Sequence, residues 1–118
     1  IKDNHVDFCG GMYQTLEKTM SYVNHLEKPI QIIVECRNKK EIETALLFSK
    51  VSRILLDNHQ PKELVEAIAI IDHRKPTEAS GSISKKNLVE YAETGVDFIS
   101  MGALTYGAKS IDLSLKVL

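Results

Sequence analysis

No stretch of this sequence is both long and apolar. Charged residues interrupt every apolar run well before the roughly 18 residues that a membrane-spanning helix needs, so a span of that kind is excluded. An excess of one charge is also missing. Fifteen lysines and arginines stand against 16 aspartates and glutamates, for a formal net charge of −1. Nucleic-acid binding draws on a basic face, and this balance gives a nucleic-acid partner no support. Cysteine is scarce: Cys9 and Cys36 form no CxxC pair. They read as reduced, core-lining residues of a cytoplasmic protein rather than a disulfide framework or a metal knuckle. No signal peptide opens the chain, and neither does a methionine; Ile1 already falls inside patterned sequence. The expectation is a piece of a longer polypeptide. What remains is ordinary globular composition, 43% hydrophobic and 26% charged over 118 residues, enough for one core and too little for two.

The apolar residues alternate between two periods. "IQIIVEC", Ile30 to Cys36, is rich in β-branched residues and suits a buried strand. Asn38 to Glu41 carries a helix-start signal of the capping-box type, and Ile42, Ala45 and Leu46 follow at helical spacing. "SRILLDN", Ser52 to Asn58, is a second strand; Pro61 then suits the first turn of a helix with Leu64, Val65, Ile68 and Ile71 as its buried stripe. "PTEAS", Pro76 to Ser80, is a third strand. It precedes a helix from Ser84 that buries Leu88, Val89 and Ala92 and ends at Gly95. "VDFISMG", Val96 to Gly102, is a fourth strand. Ahead of them all, Ile1 to His5 reads as the tail of another strand, Gly10-Gly11 as a turn, and Leu16, Met20 and Val23 as a helix.

This unbroken β-α alternation predicts a parallel sheet with helices packed outside it. Glu35, Asp57, Glu78 and Met101 mark the strand ends at intervals of 22, 21 and 23 residues. Such units are compact versions of those in a (β/α)8 barrel, which average about 30 residues. The predicted fold is therefore α/β, a fragment of a parallel (β/α) barrel, with an open doubly wound sheet as the rival.

In a barrel the loops at the C-terminal strand ends form the active site. Glu35 closes "IIVEC" and Asp57 closes "ILLD". A carboxylate at the mouth of an apolar strand is costly unless it is solvated, paired or used. The two could hold ribose hydroxyls, coordinate a magnesium ion, or stabilise a cationic transition state; equally, each could cap a loop amide or pair with a lysine. Lys2 reaches the same face and would suit an anion, or be a plain surface lysine. His5 could bind substrate, but reads better as a hydrogen-bonded structural histidine. Ser80, Gly81 and Ser82 form a small, bare turn between a strand and a helix, where backbone amides can approach a phosphate or simply connect two elements. Gly102 repeats the pattern one strand later. His25, His59 and His73 lack metal-ligand spacing, and no nucleophile–histidine pair stands out.

"IKDNH", "VEC", "LLDN", "EASGSI", "YAETGVDFISMGALT" and "IDLSLK" occur in this order. As an ordered set they resemble the C-terminal part of the quinolinate phosphoribosyltransferases, across essentially all of the chain. The resemblance implies residues 1–118 as the C-terminal part of a barrel domain, with an N-terminal domain and early barrel strands absent. It implies transfer of the phosphoribosyl group of phosphoribosyl pyrophosphate to quinolinate, with decarboxylation, to give nicotinate mononucleotide, carbon dioxide and pyrophosphate in NAD synthesis. It implies a need for Mg2+ and a homodimer or larger homo-oligomer. Lys2 matches the lysine that contacts quinolinate, and Glu35 and Asp57 match the carboxylates around the ribose. Ser80, Gly81 and Ser82, with Met101, Gly102 and Ala103, match the two phosphate-binding turns.

Two positions depart from the family pattern. Ser82 stands where a second glycine is usual, and Tyr106 where a histidine is frequent after "GALT". The arginines that would grip quinolinate are expected upstream. A related phosphoribosyltransferase for nicotinate or another carboxylated ring, and a non-catalytic phosphate-binding domain, are the competing readings.

Overall fold

The computed structural model describes residues 1–107, 111 and 113–116; Asp112 of the "IDLSLK" motif lies outside the described residues. Four strands, β1 (Ile32–Glu35), β2 (Val51–Asp57), β3 (Thr77–Ser80) and β4 (Phe98–Ile99), form one sheet in the order β1-β2-β3-β4. Every pair is parallel. Helices α1 (Asp3–Cys9), α2 (Met12–Val23), α3 (Lys39–Leu46), α4 (Pro61–Ile71), α5 (Leu88–Ala92) and α6 (Ala103–Tyr106) fill the intervals. Strand order never reverses among the described residues, as in the wall of a barrel.

Register divides the sheet into two faces. Val34 pairs with Ile54, and Leu56 with Ala79. These residues and Cys36 are completely buried in one core with Leu16, Ile42, Ala45, Leu64 and Ile71 of the helices. The opposite face carries Glu35 beside Leu55, Leu55 beside Glu78, and Glu78 beside Phe98. The apolar strand residues are therefore sorted by alternation, with the helices on one side and a polar inner face on the other.

Local chemistry sets the element ends. Asn38 accepts the Glu41 amide at 3.0 Å and caps α3, but the Glu41 carboxylate accepts from the Arg37 amide at 2.7 Å instead of closing a full capping box. Pro61 opens α4 as expected, yet its buried stripe is Leu64, Ala67 and Ile71, while Val65 is 52% exposed. The expected strand tail at residues 1 to 5 is shorter than predicted. The Ile1 amine donates to the Ile33 carbonyl at 2.7 Å and the Glu35 amide donates to the Ile1 carbonyl at 3.0 Å, which is a parallel ladder step. The chain then turns into α1, where the His5 ring accepts from the Lys2 amide. The helix expected from Ser84 starts only at Leu88, because the Asn87 carboxamide accepts the Ser84 amide and hydroxyl and holds residues 84 to 87 in a turn. Its buried residue is Tyr91; Leu88 is half-buried, and Val89 and Ala92 lie exposed.

Candidate active site

Parallel strands put all their C-terminal ends on one side, and there the sheet builds a rim. Glu35 ends β1, Asp57 ends β2, Ser80 ends β3 and runs into Gly81 and Ser82, and Met101, Gly102 and Ala103 follow β4. The Ile1 ladder step brings Lys2 to the same rim. Lys2, Glu35, Asp57 and the two small turns thus lie at one end of the sheet. Glu35 sits beside Leu55 and Asp57 beside Ser80, so Asp57 stands one inward-facing position nearer the opening than Glu35.

The two acids share a field. Burial raises the Glu35 carboxyl above its ordinary value, and the charges of Asp57 and Asp3 push it further; Lys2 works the other way. Among the described residues no group of three or more histidine, cysteine, aspartate or glutamate side chains comes together as a metal cage. Magnesium is commonly held by one or two carboxylates with water and substrate phosphates. The pair Glu35 and Asp57 fits that donor set, and does not fit a closed zinc site.

One strand beyond Asp57 a cavity of about 470 Å3 opens between the two turns, its lining including Ser80, Gly81, Ser82, Ser100, Met101 and Gly102. The backbone amides of Gly81, Ser82, Met101 and Gly102 meet no backbone acceptor among the described residues. With α5 starting late, no helix dipole supports the first turn; its donors are loop amides. The two glycines differ. Gly81 has φ +89, and a Cβ there would lie 2.6 Å from Cγ and 2.8 Å from the backbone nitrogen of Asn58. Gly102 has ordinary right-handed backbone and would meet only the Tyr106 ring at 3.4 Å. The Tyr106 side chain is 91% exposed.

Below this rim runs a belt that the sequence reading passed over. Glu78, buried in β3, accepts from Arg53 of β2 at 2.9 Å and from the Ser100 hydroxyl at 2.5 Å. The Arg53 guanidinium lies 3.7 Å over the Phe98 ring. Burial would raise the Glu78 carboxyl, but the bonds from Ser100 and Arg53 outweigh it and hold it below its ordinary value. The available signal was Arg53 itself, a charge in an apolar strand on the same face as Asp57. A second cavity, of about 420 Å3, lies beyond β1, by Gly11 and Arg37. There Arg37 already pairs with Asp7 and Glu41 at 2.9 and 2.7 Å, so its charge is spent within the protein.

Comparison with known proteins bears on this geometry. A family profile described as "Quinolinate phosphoribosyl transferase, C-terminal domain" matches residues 1–116. The chain is 41% identical over 124 residues to a "Probable nicotinate-nucleotide pyrophosphorylase [carboxylating]" of Methanocaldococcus jannaschii, covering 99% of this chain and 42% of that protein. It is 33% identical over 131 residues to the "Nicotinate-nucleotide pyrophosphorylase [carboxylating], chloroplastic" of Arabidopsis thaliana, covering 99% of this chain and 38% of that one. The solved nicotinate-nucleotide pyrophosphorylase of Francisella tularensis superposes with a TM-score of 0.80 at 35% identity, over 97% of this chain and 39% of the other. The chain thus spans about two fifths of the length of these relatives. No helix among the described residues is long and apolar enough to cross a membrane.

Proposed function

Because the chain belongs to the quinolinate phosphoribosyltransferase C-terminal domain family, we propose that it supplies the phosphoribosyl-binding side of an enzyme making nicotinate mononucleotide. Phosphoribosyl pyrophosphate and quinolinate are the substrates; pyrophosphate and carbon dioxide leave. One observation carries this reading: two carboxylates end neighbouring strands at the same end of the sheet as a cavity between two small turns. Departure of pyrophosphate builds positive charge at the anomeric carbon, and Glu35 and Asp57 favour that charge most when it is fully developed. The amides of the Ser80–Ser82 and Met101–Ala103 turns seat the 5′-phosphate, so its binding energy fixes the reacting carbon. Lys2, an exposed cation at the same rim, suits a carboxylate of quinolinate. Glu35 and Asp57 would also hold Mg2+, which when bound neutralises the pyrophosphate. Ring-nitrogen cation formation leaves decarboxylation needing no further cofactor.

The reading extends to a homo-oligomer in which the remaining pocket comes from outside these residues, and to the cytoplasm as its compartment. The test uses the complete polypeptide. It should release pyrophosphate only with both substrates present. Asp57→Ala should lower kcat about a hundredfold with a modest change in KM. Gly81→Val should chiefly raise KM for phosphoribosyl pyrophosphate, by crowding the turn against Asn58. No quinolinate-dependent release from the wild type, or two variants that leave both parameters unchanged, would reject the reading.

A further inference from the structure

The turn that carries Gly81 rests on a side chain with no role so far. Asn58 follows Asp57 directly and is left-handed, with φ 56. Few non-glycine residues adopt that backbone readily, and asparagine is foremost among them. Its amide continues the ladder to the Ser80 carbonyl at 2.8 Å. Its carboxamide then reaches both ways. Nδ2 donates to Oδ2 of Asp57 at 2.5 Å, and Oδ1 accepts from the Ser82 hydroxyl at a long 3.5 Å. Cγ fills the space a Cβ on Gly81 would need. Ser82 is left-handed as well, at φ 53. Two side chains on strained backbone therefore meet between the acid and the bare turn. Strain of this kind persists only where neighbouring structure over-determines it.

We propose that Asn58 is a positioning residue that joins the Asp57 carboxylate and the Ser80–Ser82 turn into one rigid unit. The proposal rests on the phosphoribosyl reading above and deepens it. A phosphate held by the turn can help at the anomeric carbon only if the link between turn and acid is stiff. Asn58 is that link, one residue from the acid and in contact with the turn. Its bond to one Asp57 oxygen orients the carboxylate and leaves the other oxygen for the ribose. A residue that merely shaped the loop would affect folding and nothing else.

The decisive variant is Asn58→Gly, made in the complete polypeptide. It keeps the left-handed backbone and the bond to Ser80 while removing the carboxamide. Ribose 5-phosphate affinity, measured by calorimetry, should fall about tenfold. The kcat with phosphoribosyl pyrophosphate and quinolinate should fall by a similar factor, and the melting temperature should stay close to that of the wild type. Ser82→Ala should weaken ribose 5-phosphate binding in the wild type and add nothing in the Asn58→Gly background. Asn58→Ala, read beside it, should lose the same affinity and also melt lower. If both variants keep wild-type affinity and kcat within about twofold, whatever their melting temperatures, the proposal is overturned. A wild type that binds ribose 5-phosphate without turning over quinolinate would sink the acceptor assignment alone, and Asn58 would still be judged by affinity and by its coupling to Ser82. A wild type that does not bind ribose 5-phosphate would overturn both.

Discussion

Glu35 ends β1 half-buried, with Asp57 and Asp3 near enough that burial and like charge together hold its carboxyl above the ordinary value. The native state therefore binds this proton more tightly than the unfolded chain does. Unfolding free energy then falls as pH rises through the unfolded and then the folded value, and levels off beyond it. At neutral pH the charged acid works against the fold. Glu35→Gln should raise the melting temperature near pH 7, and the gain should vanish near pH 3, where both states are already protonated. Thermal melts at the two pH values check this. A gain of equal size at both would mean that the effect is packing, not charge.

At the scale of elements, the Arg53–Glu78–Ser100 belt ties β2, β3 and the exit of β4 together just under the two turns. Glu78→Gln keeps an acceptor for Ser100 but leaves a half-buried guanidinium without its partner. A lost bond to a charged group costs about 2 kcal/mol. The Glu78 carboxyl is held low, so this stability is present at neutral pH and is lost as pH falls through its folded value. Urea melts of the complete polypeptide should show a lower midpoint with unchanged slope, and the difference should narrow in acid; an unchanged midpoint would make the belt incidental. Most of this architecture was legible from periodicity, because burying one strand face forces alternation and burying one helix stripe forces a 3.6 repeat. The Glu35 and Asp57 positions followed from where the apolar runs stop. Helix α1 was not legible, since its seven residues bury only Val6 and so leave no stripe. The late start of α5 depended on Asn87 competing for the Ser84 amide. Arg53 and Asn58 escaped because their significance lies in partners more than 20 residues away, Glu78 and Ser82, which local pattern does not report.

The whole molecule is an open wall. β4 contributes two residues, and Phe98 on the inner face is 45% exposed. Among the described residues, only the Ile1 step covers the outer edge of β1. Unpaired edges and a bare inner face are templates for pairing with another chain, and barrel closure is what abolishes them. The 118-residue polypeptide made on its own should therefore self-associate with rising concentration, as read by sedimentation velocity. On the proposed reading it should release no pyrophosphate with quinolinate and phosphoribosyl pyrophosphate, since that reading takes the rest of the pocket from outside these residues. The two readouts test different claims. A monomer at all concentrations with a single cooperative melt would show that the open edges are harmless. Quinolinate-dependent release by the isolated chain would show that the rim described here, with its two acids and two turns, holds the whole catalytic pocket.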